Sequence, residues 1–220
     1  MPKQRQFSFI FRALILMAPL MSGSLDASGA QLSITLRDAN GAPLADAVVT
    51  AQLQGGLAEM PPIPDKPYII NQHNTAYIPF VSVIPAGAAV TFVNSDPWGH
   101  HVYSFSKTKR FEVTITGETK SKPVVFDKPG IVVIGCNIHD RMLAYIYVSA
   151  VGVSGKSDNK GVVHFPDLAV GEYNLTAWHP FLPSKHKPSL IKVSVNNEHE
   201  TDREIVLTLK RPKKKKMKRY

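Results

Sequence analysis

The run "GIVVIGCNIHDRMLAYIYVS", residues 130–149, decides the fold. Two apolar, β-branched stretches flank a short polar loop, and each reads as a strand bounded by turn residues. The loop holds Cys136, the single cysteine of the chain, with His139 three positions on and Met142 three further. A lone thiol in that setting is either a buried core cysteine with incidental neighbours or one of several ligands of a metal ion.

The same texture runs through the rest of the chain. After residue 30 no helical periodicity of apolar residues appears. Short runs such as "LSITLRD", "DAVVTAQL", "VSVIP", "AVTFVN", "HVYSFS", "FEVTITG" and "KPVVFD" precede the opening stretch, and "GVVHFP", "EYNLTAW", "LIKVSV" and "REIVLTL" follow it. Together with the two strands around Cys136 they make about thirteen, which predicts an all-β protein with more than one sandwich. The turn signals "DANGAP" and "SDNKG" carry Asn and Gly where positive φ is often needed.

The net charge of +9 suggests a nucleic-acid binder until it is mapped. Residues 1–30 contribute +2 and residues 210–220 contribute +8, which leaves −1 for everything between them. The body is nearly neutral, and no nucleic-acid partner is expected. The first 30 residues have a basic start, an apolar run over 13–21 and then small residues, with Ser28 and Ala30 suiting a signal-peptidase site. They read as a cleavable export signal cut after Ala30; an uncleaved anchor or a buried helix is the alternative. Arg12 keeps the apolar run short for a bilayer span. Export sharpens the question of the thiol, because an unpaired cysteine outside the cytosol points to an intermolecular bridge, a reactive group or a ligand.

A one-electron copper centre needs donors acceptable to both oxidation states. Two imidazoles and a thiolate with a weak axial thioether meet that need. Cys136, His139 and Met142 supply three donors from one loop. The fourth comes from "AVTFVNSDPWGHHVYS", where a strand and a loop lead to His100 and His101 at the start of another strand. Side chains alternate along a strand, so one of this pair faces the interior and the other the opposite side.

These residues resemble cupredoxins of the plastocyanin and amicyanin type. The shared features are the N-x-D segment before the histidine pair, Pro129 and Gly130 opening the later strand, and the C-x-x-H-x-x-M spacing. The resemblance implies a Greek-key β-sandwich binding one type 1 copper through His100, Cys136, His139 and Met142. It also implies that His139 is the edge through which electrons pass, with Trp98, Pro97, Ile138 and Met142 forming an apolar patch around it. Three positions depart from the family: His101 stands where an asparagine is usual, and Ile134 and Gly135 precede the cysteine. The potential is therefore not carried over from the family.

The flanks resemble something else. "LRDANGAPLADAVVTAQL" and "SDNKGVVHFPDLAVGEYNLTAW" are similar to consecutive parts of carboxypeptidase-regulatory-like, immunoglobulin-like domains, yet about a hundred residues separate them here. The expectation is a cupredoxin domain over residues 54–151 inserted in an immunoglobulin-like domain made of residues 31–53 and 152–209; two sequential domains are the alternative. The combination is similar to exported proteins called methylamine utilization (cupredoxin-like) proteins. Residues 210–220, "KRPKKKKMKRY", form a low-complexity cationic tail expected to be disordered. Its expected contacts, if it has a role beyond solubility, are an anionic membrane or an acidic protein face.

No nucleophile elbow, paired-carboxylate motif or phosphate-binding glycine loop appears, so the chain is not expected to be an enzyme. It is expected to pass single electrons between redox proteins, a dehydrogenase or a cytochrome being the natural partner classes. A copper carrier or store without redox work, and an envelope-binding module with a vestigial site, are the alternatives. His73, His164, His179 and His186 lie outside the ligand pattern, and a second metal centre is not expected.

Overall fold

In the computed structural model, residues 29–56, 62–150, 152–183, 185 and 190–210 are described. Sixteen strands are present among them and no helix. In chain order they are β1 (Ala30–Asp38), β2 (Val48–Leu53), β3 (Tyr68–His73), β4 (Ala76–Ile78), β5 (Val81–Pro85), β6 (Ala89–Asn94), β7 (His100–Phe105) and β8 (Arg110–Ile115). They continue with β9 (Val124–Val125), β10 (Gly130–Cys136), β11 (Leu143–Ser149), β12 (Val153–Lys156), β13 (Val162–Leu168), β14 (Gly171–Trp178), β15 (Ile191–Val195) and β16 (Thr201–Leu207). The protein is all-β. The strand-like runs recognised in the sequence all form strands; β3, β4 and β12 are additional.

Two apolar cores organise these strands. The first lies between the sheets β13-β1-β16 and β12-β2-β14-β15. The second lies between β5-β11-β10-β7-β8 and β4-β3-β6-β9. Period-two alternation fills both: Tyr173, Leu175 and Ala177 point inward from β14, and Val132, Ile134 and Cys136 from β10. The chain leaves the first core after β2 and returns to it at β12, which pairs directly with β2.

The two segments of the first sandwich are stitched by Ser157. Its hydroxyl accepts from the Ala47 amide at 2.9 Å and donates to the Leu44 carbonyl at 2.6 Å, while its own amide bonds the Ala47 carbonyl. Matching turns close the hairpin-like ends. Asp38 Oδ1 accepts from the Asn40 and Ala42 amides, and Asp158 Oδ1 accepts from those of Lys160 and Val162. In both turns the positive φ falls on glycine, Gly41 and Gly161.

The sandwiches meet along the outward face of β11. Trp178 packs against the rings of Tyr145 and Tyr147 at 5.8 Å each, and Phe80 lies 6.3 Å from Phe181. Thr50, Ser154, Ser149 and the Tyr147 hydroxyl form a polar chain at the far end of the same strand. Residues 1–28 of the expected leader and 211–220 of the tail lie outside the described residues. Ala30, the residue before the expected cut, is buried and pairs with Leu168.

Replacing Ser157 with alanine strands the buried Ala47 amide and Leu44 carbonyl without this hydroxyl. A loss of ~1–3 kcal/mol is expected, read as a lower urea midpoint at unchanged m-value.

Candidate metal centre

Strand alternation places the thiol. Cys136 is last in the inward row of β10, is 4% exposed, and pairs with Val102 of β7. The same alternation separates the two adjacent histidines. His100 is fully buried and faces Cys136, while His101 turns to the outer face, its Nε2 2.6 Å from Glu112 Oε1. The Asn137 amide then donates to the His101 carbonyl at 3.0 Å, tying the ligand loop to β7.

His100, Cys136 and His139 offer donor atoms that all lie within 4.8 Å of one another. Cys136 Sγ is 3.7 Å from His100 Nδ1 and 3.7 Å from His139 Nδ1. A trigonal ion with metal–nitrogen and metal–sulfur bonds of about 2.0 and 2.3 Å puts nitrogen and sulfur about 3.7 Å apart. That separation matches the span across a shared cation, and it is also within reach of a weak hydrogen bond to sulfur. The imidazole rings are 5.0 Å apart and inclined at 57°, leaving both Nδ1 atoms free to converge.

Met142 is 3% exposed, belongs to the same core as Cys136, and donates its amide to the His139 carbonyl at 3.0 Å. It is therefore not part of an exposed patch, contrary to the expectation from the sequence. Trp98 and Ile138 are exposed, at 46% and 60%, as is Leu143, the residue after Met142, at 41%. Pro97 is exposed as well, and His139 is half-buried between solvent and core.

The residue that sequence reading left without a role is Asp96. Its carboxylate is almost wholly buried and accepts from His100 Nε2 at 2.8 Å, from the Asn74 amide at 2.6 Å and from the Thr75 amide at 3.1 Å. Burial pushes its pKa up, but the Thr75 amide, His100 and the Asn74 amide together hold it below the usual carboxylate range. With Nε2–H committed to Asp96, only Nδ1 of His100 remains to bind a metal. Asn74 and Thr75 both have positive φ, 52° and 56°. That conformation is unfavourable for a β-branched threonine, and it aims both amides at the carboxylate.

Asn94 completes the support. Its side-chain amide donates to the Trp98 and Gly117 carbonyls at 2.7 Å each, and its oxygen accepts from the Asp96 amide. On the other side of the thiol, the Tyr77 hydroxyl donates to the Gly135 carbonyl at 2.9 Å. Burial, with Cys136 and Tyr103 close by, raises the Tyr77 pKa and keeps the phenol neutral. The Tyr103 ring occupies the space in front of Gly135, where a Cβ would lie 3.0 Å from it. His73 approaches as well, its Nδ1 4.0 Å from Asp96 Oδ1, while His179 is buried in the neighbouring sandwich and accepts from the Phe181 amide.

Two imidazole nitrogens and a thiolate, with a buried thioether in the same loop, fit one copper ion. Thiolate and thioether suit the cuprous state, and imidazole suits both.

No protein-family profile and no curated protein sequence matches the chain. Among solved structures it is similar to a purple cupredoxin from Nitrosopumilus maritimus, at 22% identity over 37% of this chain and 99% of that one, with a TM-score of 0.33. It is also similar to amicyanin from Paracoccus versutus, at 16% identity over 46% of this chain and 98% of that one, TM-score 0.35. A third is the copper-containing nitrite reductase of Thermus scotoductus, at 22% identity over 53% of this chain but 28% of that enzyme, TM-score 0.36. At these scores the metal assignment stands on the donor set itself.

Asp96 gives this site its own test. Asp96→Ala leaves His100 Nε2–H without its acceptor, and copper affinity should fall 10–100-fold in a competition titration. Asp96→Asn keeps an acceptor but removes the negative charge, so its midpoint potential should rise relative to the parent protein, by protein-film voltammetry.

Proposed function

We propose that this is an exported type 1 (blue) copper protein that carries single electrons between redox partners through His100, Cys136, His139 and Met142. The observation that carries the reading is the pair of 3.7 Å separations between Cys136 Sγ and the two Nδ1 atoms, with the far nitrogen of His100 already committed to a buried carboxylate. Copper bound there supplies one-electron cycling between its cupric and cuprous states. A reduced donor such as a dehydrogenase gives up one electron, and an acceptor such as a cytochrome takes one.

The residues around the site hold it steady. His100 and Cys136 sit on paired strands of one sheet, so their separation follows from strand register and not from a mobile loop. Donors fixed in this way change little between oxidation states, which favours rapid electron exchange. His139 is half-buried in the same loop as the exposed Ile138, and Trp98 and Leu143 are exposed as well, so in this proposal a partner docks at His139 without a substrate pocket. On this reading the protein turns over no substrate of its own.

The ligand-bearing sandwich, residues 54–151, is in this proposal a domain inserted into an immunoglobulin-like one formed by residues 31–53 and 152–209. The separate cores and the return of the chain to β2 through β12 support that division. Residues 1–30 direct the chain to the periplasm or another exported space, where a lone thiol is protected by its metal. The basic tail is the part that meets an anionic surface.

Loading the purified protein with Cu(II) should produce an intense thiolate-to-copper absorption band and a narrow parallel hyperfine splitting in the EPR spectrum. Cys136→Ser should abolish both, and a reversible one-electron wave should persist over repeated cycles. Identical spectra from Cys136→Ser and the parent protein would sink the reading.

A further inference from the structure

Cations are not spread evenly over the ligand-bearing sandwich. Residues 54–151 hold eight Lys or Arg and seven Asp or Glu. Four of those cations, Lys107, Lys109, Arg110 and Lys128, line one surface cavity of about 300 Å³. Asp127 is the single acid in its wall, and Thr108 adds a hydroxyl. The remainder of residues 54–151 is left with four cations and six acids, so the cavity is a positive spot on a body of the opposite sign. Among the described residues, the one ion pair these four cations make is Lys109 with Asp127, at 3.8 Å. Lys107, Arg110 and Lys128 are exposed and share the cavity wall without a carboxylate of their own.

Two loops build the cavity, and both are held in place. The β7–β8 loop, residues 106–109, is docked on β10 by Ser106, whose hydroxyl accepts from the Val133 amide at 2.9 Å. Ser106 also donates its amide to Ser104 Oγ at 3.2 Å. The β9–β10 loop brings Asp127 and Lys128 and ends at Gly130, where φ is 130°. A Cβ there would lie 2.9 Å from Thr108 Oγ1, so the loops come into contact and glycine permits it. Arg110 opens β8 opposite Phe105, which fixes its backbone at the rim.

Like charges held together repel, and no group within the fold offsets the three unpaired ones here. A bound dianion removes that repulsion. Arginine offers it a planar fork of donors, each lysine an ammonium, and Thr108 a hydroxyl. A carboxylate, with one negative charge, leaves more of the excess uncompensated. The volume lies at the lower end for small-molecule sites, which suits a phosphate group with little attached to it.

We infer that this cavity binds a phosphate group, carried by a small phosphorylated molecule or by a phospholipid headgroup. The site is separate from the metal centre, because β7 runs from His100 to Phe105, about 17 Å at the rise of a strand. Its occupation does not depend on copper, and the electron-transfer reading can fail without affecting it.

The test follows the backbone amide NMR signals of the isotope-labelled full-length protein, kept reduced, as inorganic phosphate replaces chloride at constant ionic strength. Saturable shifts are expected from Lys107 to Arg110 and at Asp127, Lys128 and Gly130, with residues 136–142 unmoved. Arg110→Gln and Lys128→Gln should each weaken binding about tenfold, the loss expected of one charge-assisted contact. Lys122→Gln removes an exposed cation outside the cavity and should bind as the parent does. The two cavity variants lie on different loops, so a folding defect in one, visible across its whole spectrum, leaves the other to decide. Shifts spread evenly over every basic segment, a failure to saturate, or cavity variants that bind like the parent overturn the inference. Two further arms assign the source of the phosphate. Glycerol phosphate that moves the same amides and binds more tightly than inorganic phosphate supports a soluble ligand. Sedimentation with phosphatidylcholine vesicles containing phosphatidic acid, lost in Lys128→Gln, supports a headgroup, whereas sedimentation that this variant leaves unchanged excludes it.

Discussion

A carboxylate removed from water must be surrounded by donors or neutralised by a partner, and Asp96 is removed almost completely. Its two oxygens gather the Asn74 and Thr75 amides from one sheet and His100 Nε2 from the other. The β3–β4 turn, the loop after β6 and the first residue of β7 are thereby held about one point. The positive φ of Thr75 persists because the amide it presents has a charged acceptor. Orientation of His100, and with it the direction from which a metal must be approached, follows from this one buried group.

Around that point the sheets act as a frame. Inward rows on β10 and β7 bring Cys136 and His100 to the end of one sheet, and the turn from β10 into β11 returns His139 over the same spot. Met142 is buried in the core that holds Cys136, while Trp98 and Ile138 are exposed. The first sandwich covers the outward tyrosines of β11 through Trp178.

Much of this was legible along the chain, for identifiable reasons. The strands with strict alternation or dense β-branching, such as "LSITLRD" and "GIVVIGC", announced themselves because half of each must face a core. The strand β3, "YIINQH", did not, because Asn71, Gln72 and His73 obscure the apolar pattern, and Gln72 is in fact fully buried. With β3 and β4 missed, the turn between them was missed too. Asp96 then stood as a motif residue without a function, since the amides it binds lie more than twenty residues earlier. Along the chain Met142 suits both a ligand and a surface role, and burial removes the second. Spacing cannot tell which way a loop residue turns.

The sequence by itself determined the donor types, their spacing on one loop, that one histidine of the pair at 100 and 101 faces inward and the other outward, and the uneven distribution of charge. These are properties of composition and of the two-residue period of a strand. The tertiary structure decided that His100 is locked by a buried carboxylate and that Met142 is interior. The first depends on contacts between segments distant along the chain, namely β3 with β6 and the Asn74 and Thr75 amides with Asp96. Local pattern cannot encode such meetings, because they are settled only when both cores close.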